Sequence, residues 1–177
     1  MFLDRDGTII RDTQFIGSED EVELIPGAAE AIRVLNESGW PVVVATNQSG
    51  IARGYFTTED YERVRARLDA LLSSYGAHLD ASYACPHHPD ITGPCECRKP
   101  GTLLHRQAAD ALGLDVTRSW YIGDHLRDVQ PAQELGGFGI LVPWDDTSAQ
   151  EVKLARREFS VARSLDEAVR RVIESDR

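Results

Sequence analysis

Short apolar segments alternate along this chain with longer segments that carry apolar residues at helical spacing. The apolar segments are typical of buried strands: residues 2–3, 41–45, 79–84, 119–122 and 138–142. Helices are predicted at residues 26–39, 57–76 and 102–113, in a segment after Asp128, and from a capping-box pattern at Ser164 to the end. Strands that are separated by helices pair in parallel, so the sequence predicts an α/β fold with a doubly wound, mostly parallel, Rossmann-like sheet.

Size and charge limit the class of protein. The 177 residues suffice for a single domain with a full core. The formal net charge of -10 disfavours binding to nucleic acid or to an anionic membrane surface. No apolar run approaches the roughly 20 residues that span a bilayer, and no signal peptide precedes the first motif. We therefore expect a cytoplasmic monomer without a nucleic-acid or membrane partner.

Chemically capable side chains follow several of the predicted strands. Asp4, Thr46, Cys85 and Asp124 each come directly after one. In open α/β sheets, ligands bind outside the carboxyl ends of the strands. We therefore expect these four residues to converge on one crevice.

Two carboxylates leave the first strand together, in the segment Asp4-Arg5-Asp6-Gly7. One carboxylate can act as a covalent nucleophile, and the second can protonate a leaving oxygen and then activate water. Gly7 permits a turn that aims both side chains at one point. The alternative interpretation is a solvated acidic turn.

Further polar residues would complete a phosphate site. Asp4, the backbone carbonyl of Asp6, and Asp124 offer oxygen ligands for Mg²⁺, although Asp124 also fits a helix cap. The hydroxyl of Thr46 is a suitable donor to phosphate, or part of an ordinary polar loop. Lys99, beside Arg98, would neutralise a phosphoryl group, or lie on a solvated surface.

Three cysteines and a histidine have the spacing of a metal site. Cys85 and His87, and Cys95 and Cys97, form two pairs with one intervening residue each. Four such ligands suit a closed, structural Zn²⁺ site in a loop at about residues 85–97. Free or buried cysteines are the alternative, and His88 competes with His87 as the fourth ligand.

Together these segments resemble the haloacid dehalogenase superfamily of aspartate-nucleophile phosphatases. The similarity covers residues 2 to about 142, and it is closest to the heptose bisphosphate phosphatases; the histidinol-phosphate phosphatases share much of the pattern. The segments that carry it are Phe2-Leu3-Asp4-Arg5-Asp6-Gly7-Thr8-Ile9, Thr46-Asn47-Gln48-Ser49-Gly50-Ile51-Ala52-Arg53-Gly54, Cys85-Pro86-His87-His88-Pro89 and Cys95-Glu96-Cys97-Arg98-Lys99-Pro100.

The resemblance implies a role for each matching residue. Asp4 would be the nucleophile and Asp6 the general acid and base, while Thr46 and Lys99 would stabilise the transferring phosphoryl group. It implies Mg²⁺ on Asp4, Asp6 and Asp124, a supporting role for Asp128, and His87 as the zinc ligand. The implied substrate contacts are Asp12, Thr13, Gln14, Phe15, Thr46, Asn47, Gln48, Ser49, Arg98, Lys99 and His125.

The chain departs from the resembling enzymes at several places. His125 stands where they typically have Lys, Asp12-Thr13-Gln14-Phe15 differs from their usual sequence, and the loop from His87 to Cys95 is shorter. The intervals between motifs are too short for a large cap domain. We expect a small phosphorylated metabolite, preferably a sugar bisphosphate, as substrate. The alternatives are histidinol phosphate, phosphoryl transfer to an alcohol, and a zinc-stabilised binding module with a vestigial site.

Overall fold

A computed structural model describes residues Met1–Ser175. The six strands are β1 (Phe2–Leu3), β2 (Val43–Asn47), β3 (Ala81–Cys85), β4 (Trp120–Gly123), β5 (Phe138–Leu141) and β6 (Ser160–Val161). The eight helices are α1 (Ala28–Glu37), α2 (Thr58–Ser74), α3 (Pro89–Thr92), α4 (Leu103–Leu112), α5 (Leu126–Val129), α6 (Pro131–Leu135), α7 (Ala149–Glu158) and α8 (Leu165–Ser175).

All six strands form one parallel sheet in the order β3-β2-β1-β4-β5-β6. The order reverses between β1 and β4, because the chain builds outward from β1 to β3 and then crosses to the other side. This switch point leaves a crevice at the carboxyl ends of β1 and β4. The predicted doubly wound α/β fold without a large cap domain is confirmed.

Helices cover both faces of the sheet because side chains alternate along each strand. Leu3 packs in one cluster with apolar residues of α1, α2 and α8, whereas its neighbour Phe2 packs on the opposite face against α4 and α6. Both side chains are almost fully buried. Each half of the two-residue strand β1 therefore anchors it to a different helical layer.

Most helix boundaries lie where the sequence places them. Thr57 caps α2 in a reciprocal box with Asp60, and Pro131 opens α6, where its missing N–H costs nothing. The box expected at Ser164 is half formed. Ser164 accepts from the backbone N–H of Glu167, but the carboxylate of Glu167 accepts from Arg163 instead.

Several expectations about the elements were wrong. Thr46 lies within β2 and Cys85 ends β3, because the ladder between these strands continues from Thr46↔Ala84 to Asn47↔Cys85. The helix expected after Asp128 begins before it, as α5, and continues as α6. Helix α7 and strand β6 were missed. β6 has only two residues, but Ser148 and Glu151 form a capping box that the sequence also contained.

Within residues 1–175, no helix is long and apolar enough to cross a membrane.

Candidate active site

Asp4 and Asp124 meet at the switch point of the sheet. Asp4 follows β1 and Asp124 follows β4, and the two strands pair directly through Leu3 and Ile122. The backbone N–H of Asp4 continues this ladder by donating to the carbonyl of Ile122 at 2.9 Å. Carboxylate oxygens of Asp4, Asp124 and Asp128 lie within 4.8 Å of one another. The structure thus brings together side chains that are about 120 residues apart in the chain.

The turn after Asp4 depends on Gly7. Its φ of 75° lies in the left-handed region, and its N–H donates to the carbonyl of Ile10 at 2.8 Å. A Cβ at this position would lie 2.5 Å from Oδ2 of Asp124. Only glycine therefore lets the turn approach the carboxylate so closely.

Lys99 is enclosed by two of the three carboxylates. Its Nζ lies 2.7 Å from Oδ1 of Asp4 and 2.7 Å from Oδ1 of Asp128, and its side chain is buried. Burial alone would lower the pKa of the ammonium, but the charges of Asp128 and Asp4 raise it above its usual value. Lys99 therefore stays charged beside Asp4.

Asp124 has no such partner. Both of its carboxylate oxygens are buried without a hydrogen bond from residues 1–175. Burial, reinforced by the charges of Asp4 and Asp128, raises the pKa of Asp124 to about 9. Burial likewise raises the pKa of Asp4 to about 6, with Lys99 acting in the opposite direction. A cation between Asp4 and Asp124 would remove this electrostatic cost.

Asp6 is held by a different set of contacts. Arg5, which is itself buried, donates to both of its carboxylate oxygens at 2.9 and 3.0 Å. The amide of Gln48 donates to Oδ2 of Asp6 at 2.8 Å and to the hydroxyl of Thr46 at 2.9 Å. The Asp6 carboxylate lies outside the group formed by Asp4, Asp124 and Asp128.

These elements surround a cleft of about 390 Å³. Of the residues singled out from the sequence, those that line it are Asp4, Asp6, Asp12, Gln14, Phe15, Thr46, Asn47, Gln48, Ser49 and Arg98. Most of the expected substrate-contacting residues thus line the same cleft as Asp4 and Asp6. Thr13, Lys99 and His125 do not line it. Lys99 was expected to face the crevice, whereas the implied substrate contacts of Thr13 and His125 stay predictions. Lys99 lies behind Asp4, in the interior.

His125 does not line the cleft, and its ring nitrogens lie next to three carboxylates. Its Nδ1 lies 3.0 Å from Glu151 of α7, and its Nε2 lies 3.2 Å from Asp146 and 3.4 Å from Asp124. Helix α7 and the loop before it were not predicted, although the capping-box pattern of Ser148 and Glu151 was a signal for α7 and hence for Glu151.

Two charged residues of the cleft were missed. Arg53 lies in the segment from Thr46 to Gly54, and Arg127 lies three residues after Asp124. Both stand inside quoted or adjacent motifs, so their position and charge were the available signal. Arg53 contacts Nε2 of His88 at 2.7 Å and lies over the ring of Phe15.

The four expected zinc ligands form one cluster. Nδ1 of His87 lies 3.2 Å from Sγ of Cys97, and Sγ of Cys95 lies 3.7 Å from Cys85 and 3.6 Å from Cys97. Tetrahedral Zn²⁺ sets sulfur atoms about 3.8 Å apart, although Cys85 and Cys97 are closer, at 2.9 Å. His88 instead contacts Arg53 and caps α3.

Two family models match the chain. A haloacid dehalogenase-like hydrolase model matches residues 1–70, and a HAD-hydrolase-like model matches residues 96–168. The first model contains Asp4 and the second contains Asp124, the two acidic residues that meet at the switch point.

Curated proteins and solved structures agree with these models. The chain is 42% identical over 137 residues to D-glycero-beta-D-manno-heptose-1,7-bisphosphate 7-phosphatase of Yersinia pestis, covering 75% of this chain and 73% of the relative. The enzyme of the same name from Pseudomonas aeruginosa is 41% identical, with 80% and 79% covered.

The fold agrees over nearly the whole length. The crystal structure of D,D-heptose 1,7-bisphosphate phosphatase from B. bronchiseptica, complexed with magnesium and phosphate, matches with a TM-score of 0.87 at 34% identity, covering 99% and 98% of the two chains. The corresponding enzyme from Burkholderia thailandensis matches with a TM-score of 0.70 at 28% identity, covering 97% and 96%. The chain therefore belongs to the haloacid dehalogenase-like hydrolases, in the family of the D-glycero-beta-D-manno-heptose-1,7-bisphosphate 7-phosphatases.

Proposed function

We propose that this chain is a Mg²⁺-dependent phosphatase that forms an aspartyl-phosphate on Asp4 and removes the 7-phosphate of D-glycero-D-manno-heptose 1,7-bisphosphate. One observation carries the proposal: buried Asp4 is paired with Lys99 and lies beside the unpaired carboxylate of Asp124, at the edge of a polar cleft. The substrate follows from the relatives, which bear that name at 38–42% identity.

The donor set fits Mg²⁺. Asp4 and Asp124 supply hard carboxylate oxygens, those of Asp124 without other partners, and the backbone carbonyl of Asp6 would add a third ligand. Asp128 is less suited to bind the metal because both of its oxygens have partners: Oδ1 lies 2.7 Å from Lys99, and Oδ2 accepts from the backbone N–H of His125 at 2.9 Å. When bound, Mg²⁺ supplies positive charge that stabilises the phosphoryl group as it is transferred.

In the first step, an oxygen of Asp4 bonds to phosphorus while the bond from phosphorus to the sugar oxygen breaks. Lys99 holds the Asp4 carboxyl group in a fixed orientation at 2.7 Å. Thr46, whose oxygen accepts from Gln48, has its own O–H available for a phosphate oxygen. Asp6 gives its proton to the leaving sugar oxygen.

In the second step, Asp6 takes a proton from water as the water oxygen bonds to phosphorus. The bond between phosphorus and Asp4 breaks, which releases phosphate and regenerates the carboxylate. The bidentate contact from Arg5 and the amide of Gln48 fix Asp6 for both proton transfers.

The cluster of Cys85, His87, Cys95 and Cys97 would hold structural Zn²⁺. All four donor atoms lie within 4.8 Å of one another. Four protein ligands complete a tetrahedral zinc site, so no coordination position would remain for a substrate. The next two residues are Arg98, on the cleft wall, and Lys99, behind Asp4. Zinc would thereby fix the loop that presents both cations.

The test is phosphate release from heptose 1,7-bisphosphate with and without Mg²⁺, with histidinol phosphate assayed in parallel. We expect one equivalent of phosphate from the heptose, a product that keeps its 1-phosphate, and loss of turnover in Asp4→Asn. Asp110→Asn, an exposed carboxylate on α4, is the matched control.

Each contrary outcome has a defined meaning. Equal release by the wild type and Asp4→Asn would mean a binding module with a vestigial site. Turnover of histidinol phosphate alone would keep the chemistry and replace the substrate. Transfer of the phosphoryl group to an added alcohol in preference to water would identify a phosphotransferase.

A further inference from the structure

Arg127 is a cleft residue that makes no hydrogen bond within residues 1–175. It lies on the short helix α5 and lines the cleft, and 43% of its side chain is exposed. Its carboxylate contact within residues 1–175 is with Asp128, at 3.8 Å, which is too long for a hydrogen bond. Its guanidinium donors are therefore free to bind a ligand.

The cleft needs cations for an anion other than the reacting phosphate. Asp4, Asp6 and Asp12 all line it, and the whole chain has a net charge of -10. Lys99 is buried behind Asp4 and serves the reacting centre. A second phosphate in this cleft therefore requires another charge on the wall.

His125 does not supply that charge. Its Nδ1 lies 3.0 Å from Glu151, and its Nε2 lies 3.2 Å from Asp146 and 3.4 Å from Asp124, so both ring nitrogens already have carboxylate partners. Arg127, two residues further along the chain, lines the cleft instead. The segment that follows β4 therefore presents its positive charge to the cleft through Arg127 and not through position 125.

Arg98 lines the same cleft from the loop that carries the cysteine cluster. One of its guanidinium nitrogens donates to the carbonyl of His87 at 3.2 Å, which fixes the side chain and leaves its other donors available. Arg53, by contrast, is committed to His88 and to the ring of Phe15. Of the three cleft arginines, Arg127 is therefore the one that makes no hydrogen bond within residues 1–175, whereas Arg53 and Arg98 each use one nitrogen.

We propose that Arg127 binds the phosphate group that is not cleaved and so determines the preference for a bisphosphate. The inference rests on the proposed function, and it adds a specificity-determining residue to the same site. Guanidinium groups bind phosphate through two parallel N–H donors, a geometry that a neutral side chain cannot reproduce.

The experiment compares two substrates that share the reacting group: heptose 1,7-bisphosphate and heptose 7-phosphate. We expect the wild type to prefer the bisphosphate in kcat/KM. Arg127→Gln should reduce that preference about 10- to 100-fold, the usual effect of losing a hydrogen bond to a charged group. Arg127→Lys should keep part of it, and Arg67→Gln, an exposed position on α2, should keep all of it.

The outcomes separate the two proposals. If the wild type hydrolyses neither substrate, the proposed function fails. If the wild type hydrolyses both equally well, or if Arg127→Gln lowers both rates by the same factor, the assignment of Arg127 is wrong while the phosphatase activity stands. A purely structural role would lower both rates together, because the loss would not depend on the second phosphate.

Discussion

The ammonium group of Lys99 lies 2.7 Å from a carboxylate oxygen of Asp4, and both side chains are buried. Ninety-five residues separate them in the chain. Asp128 approaches the same ammonium at 2.7 Å, so one cation is shared between two carboxylates. This arrangement couples the stability of the site to its chemistry.

Lys99→Met should affect both properties. Removing one member of a buried ionic group typically costs about 3–5 kcal/mol, since the remaining carboxylates are left without a counter-charge. Loss of the group that holds the Asp4 carboxylate in orientation should lower kcat about 10²-fold. Urea unfolding and steady-state kinetics measure the two effects.

Lys153 provides the control, because it is the only other lysine in the sequence and is exposed on α7. Lys153→Met should leave stability and kcat unchanged. A Lys99→Met protein as stable and as active as the wild type would show that the buried ion pair contributes to neither.

Gly7→Ala should damage the metal site specifically. The new Cβ would lie 2.5 Å from Oδ2 of Asp124, so the carboxylate must move. We expect about a tenfold or greater loss of Mg²⁺ affinity, similar to other changes next to metal ligands. The measurement is the Mg²⁺ dependence of turnover.

Gly39→Ala separates the clash from backbone strain. Gly39 has a φ of 77°, close to that of Gly7, but a Cβ there would meet nothing within 4 Å. Both variants should lose about 1–3 kcal/mol of stability from the left-handed conformation. Equal Mg²⁺ affinity in the two would contradict the proposed role of Asp124.

Zinc removal should reduce activity while the sheet stays folded. The cysteine loop is attached to β2 through Asn47, which exchanges two hydrogen bonds with the backbone of Lys99 at 2.9 and 3.2 Å. Without zinc, the segment before Arg98 loses the metal ligands that hold Cys95 and Cys97 to Cys85 and His87. We expect a zinc-selective chelator in excess Mg²⁺ to lower kcat/KM about tenfold or more, with little change in far-UV circular dichroism.

Cys95→Ser should reproduce the effect of the chelator, and added Zn²⁺ should restore the treated wild type. Zinc content is measured by elemental analysis. Full turnover in zinc-free protein would remove the loop's proposed role in positioning Arg98 and Lys99.

His105 should make the protein sensitive to acid. Its ring is buried in T-shaped contacts with Phe2 and Tyr121, and burial lowers its pKa to about 3. Above pH 6.5 the imidazole is neutral in both folded and unfolded chains. As the pH falls from 6.5 towards 3, the unfolded chain takes up a proton that the folded chain refuses, so the free energy of unfolding decreases by up to about 1.4 kcal/mol per pH unit.

His105→Phe removes this proton but keeps an aromatic ring. Relative to the wild type, the variant should gain about 2 kcal/mol between pH 6.5 and pH 4.5, measured by urea unfolding at each pH. Other groups titrate in this range, but they cancel in the difference between the two proteins. The exposed His78→Phe is the control, and identical pH profiles for His105→Phe and the wild type would contradict the assignment.

The order of residues alone predicts the alternation of strands and helices and the position of acidic residues near strand ends. It also brought out the spacing of Cys85, His87, Cys95 and Cys97. These features are local, because periodicity, turn residues and short spacings are set by neighbours in the chain. Thus the parallel sheet was predicted before any contact was known, while helix α7 and the two-residue strand β6 were not.

The orientation of the polar side chains is set only by tertiary contacts. Carboxylates of Asp146 and Glu151 contact the ring nitrogens of His125, which does not line the cleft, whereas Arg127 does. Asp128 became a partner of Lys99, which no spacing could reveal. The physical reason is that a charged side chain takes the orientation that best satisfies its charge, and its partners here come from segments brought together only by folding.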